Sequence, residues 1–380
     1  MWQVKRTPLY DAQAVSGAKL VDFFGWELPV QYSGVVNECH AVRSAAGLFD
    51  ICHMGRITVS GQGALAFIQH VATNNAAKLS VLQSQYSMVC NAQGGIKDDI
   101  FVYRTKAEEF LLCVNASNRE KMVAWLQEQA AGLTDVELKD RSLEWAQLAL
   151  QGPASRSILS EMGVIGIDSL KPRQGLDTSL LGVRSLITRT GYTGELGYEL
   201  YVPADSAVWI WNELLARGKS AGIKPAGLGA RDLLRLEMGY LLYGNDISEA
   251  TSPLEAGMEW VVDFEKGDFT GRDALLRQKG EGIERRLVAF ELLQKAVPRH
   301  GCKIVSNGEP QGKEIGEVTS GNLSPILQKG IGLGYVPPAR AKVGASFAVD
   351  IRGRTVPAVV VTPPFYKKQA RGESPSPTLL

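Results

Sequence analysis

Two carboxylates stand side by side in Gly94-Gly-Ile-Lys-Asp98-Asp99-Ile-Phe-Val-Tyr103, between a diglycine turn and an apolar run that reads as a strand. Strand geometry is fixed enough to aim a side chain, and alternation sends Asp98 and Asp99 to opposite faces. Period two groups Asp99 with Phe101 and Tyr103, so Asp99 is expected to look inward, towards an aromatic-lined space. A carboxylate there can accept a proton or steady a developing cation. A polar turn with two solvated aspartates is the ordinary alternative, and these residues alone favour it.

A second candidate is Arg189-Thr-Gly-Tyr192-Thr-Gly-Glu195-Leu-Gly197-Tyr198-Glu199, in which glycines allow a close backbone approach to a flat ligand. Glu199 opens the run Leu200-Tyr201-Val202 and reads either as an edge carboxylate capping a strand or as the floor of an aromatic pocket. In the second case it would accept hydrogen bonds from an aminopyrimidine edge. Arg231 and Arg235 are one helical turn apart and could meet an anion, although pairing with Asp232 and Glu237 on a solvated face is the default reading.

The elements that must position these groups alternate between helix and strand over the first part of the chain. Leu65, Ile68 and Val71 recur at helical spacing, whereas Ile100–Tyr103 and Phe110–Val114 look like paired strands. Ser117-Asn-Arg-Glu120 has the form of a capping box ahead of a helix with Met122, Trp125, Leu126 and Ala130 on one face. That helix closes a small α/β unit near residue 140. A second helix is expected from Asp205, with Val208, Trp211 and Leu215 inward, and a third over Leu228–Met238, stopped at Gly239. Beyond about residue 285 short β-rich runs take over: Arg286–Leu292, Gly316–Thr319, Gly332–Val336 and Ala358–Thr362. The last dozen residues lack apolar periodicity and are expected to fray.

The chain's 380 residues exceed what one core usually supports, so two or three domains are expected. A net charge of +1 supplies no field for a phosphate backbone or an anionic membrane, so neither nucleic acid nor membrane is expected as a partner. Five scattered cysteines read as free thiols in a reducing compartment. With no signal-peptide pattern at the N-terminus and no apolar run near the roughly 20 residues a membrane helix needs, the expected location is cytoplasmic.

Gly330-Ile-Gly332-Leu-Gly334 mimics a dinucleotide fingerprint, but Pro337 and Pro338 follow where the helix should start, so it reads as strand or turn. The adjacent pairs Cys39-His40 and Cys52-His53 lack a ligand spacer, and no metal is expected.

From Thr7 to about Lys368 the chain resembles the aminomethyltransferase family, the T-proteins of the glycine cleavage system. The resemblance runs through Thr7-Pro-Leu-Tyr10, Phe24-Gly-Trp26, Pro29-Val-Gln-Tyr32 and Gly47-Leu-Phe-Asp-Ile-Cys-His53-Met54. It continues through the Gly94–Asp99 turn, Arg189–Glu199, Gly229–Glu237, Leu242-Tyr-Gly-Asn-Asp246 and Val318-Thr-Ser-Gly321 with Ser324-Pro325. It implies an α+β fold of three domains arranged as a cloverleaf around a central folate channel, with two α/β domains and a C-terminal all-β, barrel-like domain. Laid on this chain, the first domain takes residues 1–54 and 143–284, the second 55–142 and the third 285–368, with 369–380 as tail.

The implied reaction moves the one-carbon unit of an aminomethyl group from lipoylated H-protein to tetrahydrofolate, as co-substrate, releasing ammonia. The resemblance makes Asp99 the catalytic carboxylate and Glu199 the pterin anchor, with Met54, Tyr86, Tyr103, Tyr192, Arg231 and Tyr240 around the pocket. Lys367 stands near the folate where many relatives have an arginine, and Lys97 where the family usually has an apolar residue. A lysine there offers a point charge without a bidentate fork. A monomer is expected. Two rivals share the fold: a folate-dependent demethylase acting on a sulfonium or methylated amine, and a non-catalytic folate-binding paralogue. The loop Thr190-Gly-Tyr-Thr-Gly lacks the thiol motif of such paralogues, and Asp99 is retained.

Overall fold

The computed structural model describes residues 4–306 and 312–367, which puts the expected C-terminal fray outside the described residues. The architecture is mixed α+β. Two compact units divide the chain, the first formed by Met1–Ser87 with Asp99–Asp232 and the second by Met88–Asp98 with Leu233–Leu380.

In the first unit, a six-stranded sheet runs in the order Gly175–Leu180, Val183–Thr188, Gly197–Pro203, Trp145–Gln151, Ala46–Asp50, Ile223–Pro225. Its middle strands are buried on both faces, one of them apolar and the other carrying Gln147, Gln151 and Glu199. The Leu148, Leu150, Leu200 and Val202 side chains pack with Ile158 and Leu159 of the Ser155–Glu161 helix and Ile210, Trp211 and Leu214 of the Ala207–Arg217 helix. Burial on that scale is the main stabilising term here.

A five-stranded sheet follows the order Ser84–Cys90, Ile96–Lys106, Glu109–Val114, Gly55–Ser60, Glu137–Asp140. The antiparallel register sets Phe101 opposite Cys113 and Tyr103 opposite Leu111. That register decides which residues the two candidate carboxylates meet.

In the second unit, six strands close into a barrel in the order Arg286–Leu292, Lys329–Val336, Glu314–Ser324, Lys303–Val305, Ser346–Ile351, Arg354–Val361. Phe290, Phe347, Val318 and Val356 fill it. The glycine-rich decoy is strand: a Cβ on Gly332 would lie 2.5 Å from the Phe290 ring, so the absent side chain there serves barrel packing.

Two local expectations change. The Arg119–Gln129 helix is preceded by a 3-10 turn at Ala116–Asn118, and its N-cap, Asn118, makes no side-chain cap bond, so Ser117 and Glu120 form no capping box. Glu120 pairs instead with Lys5. The helix expected from Asp205 starts at Ala207 after another 3-10 turn and buries Ala207, Ile210, Trp211 and Leu214, while Val208 faces out. The buried face is turned by about a quarter turn from the expected one, with Trp211 common to both.

Candidate functional site

On the Ile96–Lys106 strand the burial pattern alternates, as strand geometry requires. Asp99 and Phe101 are half-buried, whereas Asp98 is fully buried along with Ile96, Ile100 and Val102. The grouping of Asp99 with Phe101 and Tyr103 therefore stands, but the more deeply enclosed carboxylate is Asp98. Neither is the solvated turn aspartate of the ordinary reading. The turn itself is held by Asn91, whose Oδ1 accepts the Gln93 and Gly95 N–H groups, and Gly94 supplies a φ of 83°.

Both oxygens of Asp99 are engaged. Tyr86 Oη donates to Oδ2 at 2.8 Å, and Asn115 Nδ2 donates to Oδ1 at 2.7 Å and to the Asp99 carbonyl at 3.1 Å. Extending the register of the neighbouring strand pair brings Asn115 opposite Asp99. From Tyr86 an aromatic wall continues to Phe101, with ring centroids 5.6 Å apart, and on to Tyr103 at 6.0 Å. Met54 and Phe101 pack against the buried cluster of Tyr103, Leu111, Cys113 and Tyr201.

Glu199 closes this wall. Its Oε2 accepts from Thr190 Oγ1 at 2.9 Å and Tyr103 Oη at 3.2 Å, and Thr188 reinforces Thr190 at 2.7 Å. Burial pushes the Glu199 carboxyl above its ordinary range, against the opposing pull of Thr190, Arg231 and Tyr103. Burial, then the Glu199 charge, drives the Tyr103 phenol well upward, so Tyr103 stays a donor. The Arg231 guanidinium lies 4.7 Å from the Tyr192 ring centroid, a cation–π arrangement.

Two glycines of the 189–199 loop, Gly191 and Gly197, are required by packing within the protein. A Cβ on Gly191 or Gly197 would fall 2.0 or 2.3 Å from Gln151 Oε1. They make room for the Gln151 side chain, which donates to the Thr190 carbonyl and accepts from Thr193 Oγ1 at 2.9 Å. Arg43 completes the brace, pairing with Glu195 at 3.0 Å and donating to the Thr193 carbonyl. The loop is thus set by its own protein before any ligand arrives.

Asn115, Thr190, Gln151 and Arg56 escaped the sequence reading. Arg56, fully buried, donates to the carbonyls of Cys52, Met54 and Ser142 and so fixes the turn that carries Met54. Asn115 was legible only through the register. Arg56 gave no signal at all, since a strand arginine ordinarily faces water.

The remaining two expected residues, Tyr240 and Lys367, belong to the second unit. Arg235 there is buried and ion-paired with Asp246 at 2.8 Å, so the solvated reading of that arginine is wrong. Its Nη1 also donates to the Tyr240 carbonyl and its Nη2 to Ser320 Oγ. Thr319 and Ser320 bond Asp246, and Ser324 bonds Glu237 at 2.6 Å, which accounts for the 318–324 motif. Lys97 reaches Glu249 at 3.5 Å, and Lys367 is exposed. Among the described residues no group of three or more His, Cys, Asp or Glu side chains is disposed to hold a metal ion.

A carboxylate at each end of an aromatic face is suited to hold a flat heterocycle at one end and act on it at the other. Comparison with known proteins identifies the family of the chain. Residues 9–266 match the family described as the GCVT N-terminal domain, and residues 285–367 the glycine cleavage T-protein C-terminal barrel domain. The chain is 48% identical over 362 residues to the aminomethyltransferase of Halothermothrix orenii, covering 95% of this chain and 100% of that protein. It is 46% identical over 367 residues to the one from Geobacillus kaustophilus, covering 96% and 99%. The crystal structure of glycine cleavage system aminomethyltransferase T from Bartonella henselae superposes with a TM-score of 0.89 at 35% identity, over 96% of this chain and 98% of that one. The chain therefore belongs to the glycine cleavage T-protein family, the folate-dependent aminomethyltransferases.

Proposed function

We propose that this enzyme takes the aminomethyl group carried as a thioether-like adduct on the lipoyl arm of H-protein and passes its carbon to tetrahydrofolate. The products are 5,10-methylenetetrahydrofolate, ammonia and the reduced lipoyl arm. In the balance, the carbon loses its bonds to sulfur and to nitrogen and gains two to folate nitrogens, whose two protons leave on ammonia and the thiol.

The observation that carries this reading is the placement of Asp99 and Glu199 at the two ends of one wall made by Tyr86, Phe101 and Tyr103. Asp99 and Tyr103 are four residue steps apart on the strand, about 13 Å. Glu199, backed by Thr190 and Tyr103, accepts hydrogen bonds from the aminopyrimidine edge of the pterin. Met54, Tyr192 and Arg231 complete that end of the pocket. Bound folate supplies the nitrogens that carry the carbon.

Asp99, oriented by Tyr86 and Asn115, holds negative charge where positive charge develops on the transferred carbon and accepts a hydrogen bond from the attacking nitrogen. A carboxylate already held by two donors needs little reorganisation when that charge appears, which favours an electrostatic role over that of a strong base. The aromatic wall aligns the heterocycle and excludes water.

The same reading keeps the three-domain division at residues 54, 142 and 284, a monomer, and a cytoplasmic location. No helix among the described residues is long and apolar enough to cross a membrane. Mixing aminomethyl-loaded H-protein with the enzyme tests the function: ammonia and methylenetetrahydrofolate should form in equal amounts, and only when tetrahydrofolate is present. Demethylation of a sulfonium or methylated amine, with the aminomethyl adduct left unconsumed, would transfer the site to the rival chemistry.

A further inference from the structure

The Val35–Ser44 helix buries two charged side chains of opposite sign, Glu38 in its first turn and Arg43 in its last, and each reaches a different loop. Glu38 is fully buried. Its Oε1 accepts from the Tyr32 N–H at 2.6 Å and the Ser33 N–H at 2.9 Å, and its Oε2 accepts from the Gly227 N–H at 2.9 Å. Gly227 directly precedes the Leu228–Glu237 helix, and its carbonyl accepts from the Arg231 N–H at 3.1 Å. The carboxylate of Glu38 thus holds the turn that carries Arg231, at the helix end where negative charge is favourable. That contact has no slack. A Cβ on Gly227 would fall 2.5 Å from the Val30 carbonyl, and one on Gly229 2.5 Å from Val35, on the same helix as Glu38.

At the other end of this helix Arg43, its side chain 5% exposed, donates to the Thr193 carbonyl at 2.7 Å and pairs with Glu195. Gln151 holds the Thr190 carbonyl at 3.2 Å and the Thr193 hydroxyl at 2.9 Å, so Tyr192 lies between two anchored points of its loop. Tyr192 and Arg231 are the partners of the 4.7 Å cation–π contact. Both sides of that contact are therefore tied by buried charges to one helix. Buried charges are costly unless fully hydrogen-bonded, and here the bonds they make fix the placement of the backbone behind Tyr192 and Arg231.

We propose that Glu38 and Arg43 are positioning residues for folate binding, holding Arg231 and Tyr192 where the pocket needs them, an inference that rests on the folate reading above. Glu38→Gln keeps the size and one carbonyl for Tyr32 and Ser33 but turns an amide N–H against that of Gly227. In calorimetry with tetrahydrofolate, on protein shown by thermal unfolding to be folded at the assay temperature, it should weaken binding about 5- to 10-fold. Arg43→Lys keeps a charge for Glu195 and loses the planar fork, and should weaken binding about threefold. Coupling decides whether these losses act through the pocket. Glu38→Gln should add nothing to the loss caused by Arg231→Gln, and Arg43→Lys nothing to that caused by Tyr192→Leu.

Losses that multiply in both cycles, in folded protein, would assign the two charges to general stability and overturn the proposal. Wild-type affinity in Glu38→Gln and Arg43→Lys would overturn it equally, and either cycle decides alone if the other variant does not fold. Arg231→Gln and Tyr192→Leu that bind tetrahydrofolate as the wild type does would take that pair out of the pocket, overturning this inference and leaving the folate reading in place. Wild-type protein that binds no tetrahydrofolate would overturn the folate reading itself.

Discussion

Replacing Glu199 with glutamine should weaken folate binding without weakening the fold. In the wild type Oε2 already accepts from Thr190 at 2.9 Å and Tyr103 at 3.2 Å. A glutamine that keeps both bonds through its carbonyl must turn its amide N–H groups towards the ligand's own donors. Losing one charge-assisted bond and leaving one donor facing another sums to roughly 2–4 kcal/mol, or a factor of about 30 to 1,000 in Kd.

The fold should respond in the opposite sense. Burial raises the Glu199 carboxyl, so the folded chain binds that proton more tightly than the unfolded chain does. Stability from this group is therefore greatest in acid, falls as pH rises through the folded value, and stays lower at neutral pH. Glutamine removes that dependence, so the variant should melt at or above the wild-type temperature at neutral pH. Calorimetric titration with folate and thermal unfolding at acid and neutral pH measure the two effects. Affinity within about twofold of wild type would refute the anchoring argument, and a large loss of stability at neutral pH would show that the carboxylate holds the fold together.

Asn115→Leu removes one of the two donors that orient Asp99, so turnover should fall roughly 10- to 100-fold, with little change in folate KM, by steady-state kinetics. Arg235→Ala leaves the Asp246 carboxylate buried without its counter-ion and should cost about 3–5 kcal/mol in denaturant unfolding. Because burial pushes His53 down to about 3 from an ordinary 6.5, its contribution is fully present above the ordinary value and is lost as pH falls towards 3. In His53→Phe the acid limb of the stability curve should be shallower by one proton, about 1.4 kcal/mol per pH unit over that window.

The parts of the fold that were legible in the sequence are those set by local pattern. The Phe110–Val114 and Arg286–Leu292 strands announced themselves by runs of apolar and β-branched residues, and the Leu228 helix by its spacing and the glycine at 239, which has a φ of 71°. The helix starts at Arg119 and Ala207 were misread because a capping signature cannot tell an α-turn from the 3-10 turn that precedes it here.

Strand parity grouped Asp99 correctly with the aromatic residues but could not rank the two aspartates by depth. Burial depends on what the other face of the sheet packs against, and Asp98 proves fully enclosed. Asp98→Asn is therefore a test of folding and no control for Asp99. Partners distant in sequence were invisible for the same reason: Gln151 filling the space at Gly191, Arg235 reaching Asp246 and Ser320, and Asn115 held opposite Asp99 all depend on tertiary pairing.

Asp99→Asn tests the mechanism most directly, because it keeps the shape that Tyr86 and Asn115 grip and removes only the charge. Single-turnover transfer from aminomethyl-loaded H-protein should slow by roughly 10²–10⁴, while folate affinity measured on the same sample stays close to wild type. Transfer at near wild-type rate, with folate bound, would contradict the assignment of Asp99 as the carboxylate that acts on the carbon.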